Sequence, residues 1–335
     1  MTSQTTTTPE TLDSQSSQPR QPNTVQVFAR HETFHPRFGW LKKGFDKAAQ
    51  DSGIFLREDA PVLLGVGKNM VRSIRYWCSA FKLLENDSPT DFGTKLLGAG
   101  GWDEYLEDPA SLWLLHWKLL ESPSLATAWD FTFNQFRPIE FTKESLFREL
   151  RSYSDTSSKN TADGSLDKDI SCLIRMYVRQ VGNKSVVNED MLDCPFAELG
   201  AIAGDSRYFT FRIGDKPTLP ASVITYACLS YAGKSNPTAR TMPIANLLYH
   251  HGSPGLVFRL TERSICDALE KVARQFPLLG ATHAVDERSQ TGASARLHPQ
   301  ITVSDAAGKL QVSFDTEPQQ LAENILDRYY QVANK

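Results

Sequence analysis

His31, Glu32 and His35 stand in the order His-Glu-Thr-Phe-His, which matches the zinc-peptidase pattern H-E-x-x-H letter for letter. That pattern works only on a helix, where both imidazoles share one face and the glutamate activates a zinc-bound water. Pro36 follows directly and biases His35 towards extended geometry. In a helix its ring would also clash with the carbonyl of Glu32. No further histidine falls at metzincin spacing, so the zinc peptidase is the weakest of three readings. The same residues suit a nucleic-acid site better. His31, His35, Arg37, Lys42 and Lys43 offer donors for phosphate, and Phe34, Phe38 and Trp40 offer stacking surfaces. Glu32 could hold a divalent metal, magnesium or manganese, or act as a base in phosphodiester cleavage. The alternative is that Glu32 pairs with Arg30 or Arg37 and the aromatic rings are core.

A second candidate lies downstream. Gly65-Val66-Gly67-Lys68-Asn69 invites a phosphate-loop reading, but the Walker pattern needs glycine where Val62 stands and a hydroxyl where Asn69 stands. Two glycines at a helix start can still expose amides to one DNA phosphate, with Lys68 and Asn69 beside them. From Lys68 to Leu84 the spacing predicts a helix. Val71, Ile74, Cys78 and Phe81 form its apolar stripe, while Lys68, Arg72, Arg75 and Lys82 fall on another face. Lys68, Arg72 and Arg75 are the candidate DNA grip. An amphipathic helix of this kind equally suits a protein partner.

Other clusters carry less. Glu189, Asp190, Asp193 and Glu198 form an acidic run that reads as a metal site or as a solvated face. His250-His251 has no thiol or carboxylate nearby in sequence, and the five cysteines form no C-x-x-C pair, so no zinc site is supported. Trp102, Trp113, Trp117 and Trp129 read as core.

These residues need elements to position them. Phe38, Leu41, Phe45 and Ala48 predict a helix over 38–50, and Asp59 and Pro61 start a short one. With the glycine turn and the helix from Lys68, this is a helix-turn-helix outline. Further helices are expected over 108–120, 141–151 (capped by Thr142), 169–181, 219–231, 244–249, 261–275 and 317–330. A short helix is expected around Phe196 and a strand through Tyr208, Thr210 and Arg212. A strand over 256–260 and a hairpin of 301–303 with 310–314, turning at Asp305 and Gly308, complete the order of a winged helix. The fold class is therefore mainly α with short β-hairpins, a helix-turn-helix-like N-terminal module and a winged-helix-like C-terminal module.

At 335 residues, 40% of them hydrophobic, the chain exceeds the roughly 250 residues that one core usually serves. Two domains are expected, 25–151 and 169–335, joined by a polar linker at 152–168 and preceded by a disordered tail at 1–24. No apolar run of membrane-spanning length and no signal-like start is present, and the scattered cysteines suit reduced thiols. Together these predict a cytoplasmic protein with no membrane contact. The net charge of -3 hides an asymmetry: Val25 to Leu84 holds ten Lys/Arg against five Asp/Glu, and the remainder is acidic. A local basic surface on an acidic protein suits a binder that grips double-stranded DNA at one place.

The chain also resembles a known family. His31-Glu32-Thr33-Phe34 with Arg37, Trp40-Leu41-Lys42-Lys43-Gly44, Gly65-Val66-Gly67-Lys68-Asn69-Met70 and Asp193-Cys194-Pro195-Phe196 carry the likeness, with Ser253-Pro254-Gly255 and Tyr329-Tyr330. They look like a bacterial family of a once-uncharacterised domain encoded beside the sulfur-transfer enzymes of DNA phosphorothioation. Its closest functional match is the nicking subunit of single-strand phosphorothioation systems in phage defence. The resemblance implies a DNA nickase working with a cysteine desulfurase, an ATPase and a sulfur-transferring adenylating enzyme. It transfers no catalytic residue position by position, so His31, Glu32 and His35 remain the cluster that the residues themselves suggest. The competing hypothesis is a non-catalytic DNA-binding adaptor or regulator of such a system.

Overall fold

The computed structural model describes residues 25–157, 160–179, 194–275 and 301–333. The expected tail at 1–24 and most of the acidic run, Glu189, Asp190 and Asp193, lie outside them. The described chain is mainly helical with three small antiparallel sheets. Its helices are α1 (Trp40–Gln50), α2 (Ala60–Leu64), α3 (Lys68–Ala80), α4 (Asp91–Leu97), α5 (Pro109–Leu120), α6 (Thr127–Asn134), α7 (Lys143–Ser154) and α8 (Asp163–Tyr177). After a 3-10 turn at Pro195–Leu199 come α9 (Ala221–Ser235), α10 (Ile244–Tyr249), α11 (Pro254–Val257), α12 (Glu262–Gln275) and α13 (Pro318–Ala333).

Local rules place several of the helix ends. Asp108 accepts from the Ala110 amide at the start of α5, where Pro109 fits because its missing donor would be unpaired anyway. Thr142 and Ser145 exchange hydrogen bonds in a capping box at the start of α7. Gly65, at φ 63°, closes α2 in the left-handed region and with Gly67 turns the chain into α3. The apolar stripe of α1 runs through Trp40, Leu41, Gly44, Phe45 and Ala48. Phe38 is not part of it. Left-handed Gly39 intervenes, and Phe38 stands 53% exposed. A Cβ at Gly44 would come within 2.6 Å of Ile74 Cγ2 and 2.7 Å of Cys78 Sγ, so α1 and α3 approach closely at that glycine.

One strand expectation changes. Residues 256–260 hold no strand, because Pro254 starts the one-turn helix α11 there. The strand lies earlier, at β6 (Thr241–Pro243), which pairs with β8 (Lys309–Phe314), itself paired with β7 (Ile301–Ala306). The β7–β8 turn uses Ala307 and Gly308, both left-handed. The other sheets are β1 (Leu84–Glu85) with β2 (Ser88–Pro89), and β3 (Glu140–Phe141) with β5 (Phe209–Phe211) and β4 (Ile202–Gly204) in the order β3-β5-β4. Most of the segment 152–168 is also helical. Leu166 is fully buried, and Arg151 bridges Asp155 and Asp163, so α7 and α8 pack across it.

Buried side chains form one continuous cluster from Trp40 to Tyr330. At its centre α5 is buried from Ala110 to Leu120, as a helix enclosed on all sides must be. Trp113, Trp117 and Trp129 are core, and Trp102 is half-buried with its Nε1 donating to Asp327. All five cysteines are free. No helix among the described residues is long and apolar enough to cross a membrane.

His116 on α5 is wholly enclosed. Its Nε2 donates to the Val257 carbonyl at 2.9 Å, so its Nδ1 accepts from the Tyr177 hydroxyl at 2.7 Å. Burial keeps the ring neutral and pushes its pKa down to about 4. Between that value and the unfolded histidine's roughly 6.5, the unfolded chain binds more protons, so stability falls as pH drops through this window, by about 3 kcal/mol. Urea midpoints measured from pH 7 to pH 4 should show this slope in the native chain. It should be flatter in His116→Gln.

Candidate functional site

The segment before α1 is a turn, not a helix. The Phe34 amide donates to the His31 carbonyl at 2.9 Å, while Ala29, Glu32 and Thr33 all take left-handed φ values of 55°, 51° and 69°. Three non-glycine residues in that region store strain that the surroundings must hold in place. Asp169 of α8 does much of the holding. Its Oδ1 accepts from His31 Nε2 at 2.7 Å and from the Ala29 amide at 2.8 Å. The His31 ring is fully buried, stacked on Trp77 and meeting Trp129 edge-on at 5.6 Å. Trp77 Nε1 donates to the Phe34 carbonyl, and Arg175 donates to the Thr33 carbonyl. Burial pushes the Asp169 carboxyl up, against the lowering effect of His31 and the Ala29 amide.

The candidate chemical cluster therefore separates by depth. His31 and His35 are buried, whereas the Glu32 side chain is 34% exposed, with its Oε1 3.6 Å from Arg72 Nη1. The turn presents Glu32 and roots itself through His31. Glu32 pairs with Arg72 in place of Arg30 or Arg37. Arg37 lies over the rings of Phe34 and Trp40, at 5.8 and 5.3 Å.

The cations of the proposed grip divide in the same way. Arg75 forms a two-point fork with Asp87, at 2.7 and 2.6 Å, and Lys42 is held by Asp46 at 2.8 Å and Glu104 at 2.9 Å. Burial works against the charge on Lys42, but these two carboxylates outweigh it and raise its pKa. A lysine or arginine already neutralised this way has little to offer a phosphate. Lys43, Lys68, Asn69 and Arg72 face solvent. Lys43 lines a cleft of about 390 Å³ with Lys47, Gln50 and Tyr105, and Lys68 and Asn69 form the first turn of α3 after Gly67. Lys82 is off the helix, at φ 61°, and donates to the Pro123 carbonyl.

The structure also brings together a pair that sequence spacing misses. His251 Nε2 lies 3.2 Å from Asp130 Oδ2, and Asn134 Nδ2 donates to the other oxygen of Asp130 at 2.9 Å. Asn134 Oδ1 in turn accepts from the Gly252 amide. His251 thus has a carboxylate neighbour 121 residues away, a correction to its isolation in sequence. The only local sign is that Asp130 and Asn134 share one face of α6. Solvent reaches this pair, with side-chain exposures of 28% and 15%, whereas His31–Asp169 is closed at 0% and 2%. Among the described residues no three His, Cys, Asp or Glu side chains converge as metal ligands, so Glu32 stands without companion ligands there. Arg72 also places positive charge beside it, which disfavours a cation at Glu32.

Residues 28–330 match the model of a family described as a protein of unknown function, DUF4007. The chain belongs to this family. Two solved structures, "SspB crystal structure" and "Magnesium ion-bound SspB crystal structure", are each 36% identical to it, with a TM-score of 0.79 over 92% of this chain and 88% of theirs. No curated protein matches. The matched span begins at Phe28, so the rooted turn and both His–Asp pairs lie inside the family domain.

Rooting through Asp169 has a measurable cost. Asp169→Ala strands the His31 Nε2 hydrogen and the Ala29 amide in a closed site, and should lower unfolding free energy by about 3 kcal/mol. Asp169→Asn keeps one acceptor and should lose about 1 kcal/mol. Denaturant unfolding of the three proteins checks this order, and equal losses would show that the hydrogen bonds are not what holds the turn.

Proposed function

We propose that the protein is the DNA-nicking subunit of a DNA phosphorothioate modification and defence system, cutting one strand so that sulfur can enter the backbone. The observation that carries this reading is the 36% identity to SspB across 92% of the chain. One of those SspB structures has magnesium bound, in line with a divalent metal, magnesium or manganese, acting in the cut. Its partners on this reading are double-stranded DNA and the cysteine desulfurase, ATPase and sulfur-transferring adenylating enzyme of the system.

Phosphodiester hydrolysis needs a base to take the proton of the attacking water and cations to offset charge on the phosphorus oxygens. Two places on the surface offer a base. Glu32 is presented by a strained turn next to Arg72, and His251 is oriented by Asp130 in a solvent-reachable pair. Lys68, Asn69 and Arg72 supply phosphate contacts at the start of α3, and Lys43 adds a further exposed cation. His31 and His35 support the turn from inside.

A second reading has its own support. A winged-helix reading fits the order α9, β6, α10 to α12 and the β7–β8 hairpin, with sheet order β6-β8-β7. A helix-turn-helix reading likewise fits α2, Gly65 and α3. Two such modules suit a non-catalytic DNA-binding adaptor. On α12, the helix a winged fold would offer to DNA, Arg263 pairs with Asp267 and Arg274 with Glu270. With Glu262 and Lys271 added, acids and bases balance. That face suits a protein partner, which leaves DNA to α3.

Supercoiled plasmid incubated with the protein and magnesium or manganese should yield open circles. Glu32→Gln or His251→Gln, whichever is the base, should slow nicking by on the order of 10²-fold or more while leaving DNA affinity unchanged. Lys68→Ala with Arg72→Ala should weaken binding and shallow its salt dependence by about one unit per lost contact. Plasmid that stays supercoiled under every metal, with binding intact, decides for the adaptor.

A further inference from the structure

At one end of the β3–β5–β4 sheet, four cations gather from separate parts of the chain. Arg137 precedes β3, Arg212 follows β5, Lys216 lies in the loop leading to α9, and Arg259 follows α11 with a left-handed φ of 53°. Hydrogen bonds lock the two inner ones. Lys216 is 5% exposed, and its Nζ donates to the Gly214 carbonyl at 2.7 Å and the Arg259 carbonyl at 3.4 Å. Arg259 Nη2 donates to the carbonyls of Thr132 at 2.8 Å and Phe136 at 3.0 Å, and its guanidinium lies 4.1 Å above the Phe211 ring. Its Nε is buried with no hydrogen-bond partner among the described residues.

None of the four forms an ion pair among the described residues, in contrast to Lys42, Arg57, Arg75, Lys95, Lys118 and Arg151. The nearest carboxylates in sequence, Asp215, Glu140 and Glu262, are all exposed. Carbonyl groups satisfy donors but cancel no charge, and buried cations are ordinarily paired with anions. The strain shows in their acidity. Burial lowers the Lys216 pKa to about 8 against the raising effect of the Asp215 carboxylate, with Arg212 and Arg259 adding to the lowering, and burial with Arg137 nearby lowers Arg259 to about 10. Arg137 and Arg212 face solvent, as do Tyr208 and Ile213 at the same sheet. An anion arriving from solvent would meet two exposed guanidinium groups first and gain from the two fixed charges behind them.

We propose that Arg137, Arg212, Lys216 and Arg259 form a phosphate-binding site that takes a backbone phosphate of duplex DNA, separate from the start of α3. It rests on the reading of the protein as a DNA binder. It adds a second contact, built on the sheet in place of a helix. Arg137 and Arg212 make the outer contacts, and Lys216 and Arg259 supply fixed positive charge.

Two arms test it with the full chain, using Arg137→Ala/Arg212→Ala, which changes only exposed side chains. In the first, duplex DNA affinity is measured across a salt series. The salt slope should shallow by about two units in the double variant, beyond any effect of Lys68→Ala/Arg72→Ala. In the second, inorganic phosphate at constant ionic strength should raise the melting temperature of the native chain and not that of the variant. DNA binding with an unchanged slope would overturn the site and leave the DNA reading standing. Phosphate stabilisation lost in the variant, with no DNA binding by the native chain, would keep an anion site, overturn its DNA occupant and point to a free phosphate ester. No DNA binding and no phosphate stabilisation in the native chain would overturn both the site and the DNA reading.

Discussion

The hydrogen bond from His31 to Asp169 organises the region where function is most expected. It lies in a box made by Trp77, Trp129 and Tyr76, and it joins a turn at the start of the chain to α8, 138 residues later. Removed from water, the pair cannot exchange its partners for solvent, so the bond fixes position as well as adding stability. Three left-handed residues then hold a shape they would not keep alone, and Glu32 is carried to the surface beside Arg72. A histidine that sequence spacing offers for catalysis thereby becomes the anchor of the residue next to it.

Charge follows a similar division of labour. The excess of lysine and arginine in the first part of the chain is real, but the structure neutralises some of it. Asp87 takes Arg75 through two hydrogen bonds, and Asp46 with Glu104 takes Lys42. Lys43, Lys68 and Arg72 remain facing solvent. Further along, in the more acidic part of the chain, Lys216 is buried and Arg259 half-buried against carbonyls, with no carboxylate paired to them among the described residues. Net charge by segment thus locates neither where positive potential is spent nor where it is stored. Pairing decides both.

Whether an element was legible in the sequence depended on how far away its partners lie. The caps of α5 and α7, the apolar stripes of α1 and α3, the helix at Ile244–Tyr249 and the β7–β8 hairpin turn all rest on residues within a few positions of one another. They could be read directly. The strand β6 could not, because Thr241–Pro243 is extended only by pairing with β8, some seventy residues on. The apolar residues 256–260 resemble a strand by composition, yet Pro254 begins a helical turn, and Leu256 and Val257 are buried on it. Phe38 fits the helical spacing of α1 but lies before left-handed Gly39, outside the helix.

The sequence by itself determined a mainly helical chain with small hairpins, a basic start to α3, no membrane-spanning apolar run, and motifs that resemble a family linked to DNA phosphorothioation. It also ruled against a zinc peptidase, since Pro36 denies His31 and His35 a shared helix face. Only tertiary structure decided that His31 is buried and Glu32 presented, that Arg75 and Lys42 are already paired, that His251 faces Asp130, and that four cations meet at one sheet end. The physical reason is the range of the forces involved. Helical periodicity and capping act over three or four residues and leave a local trace. Burial and charge pairing act through space, between residues that only the folded core brings together.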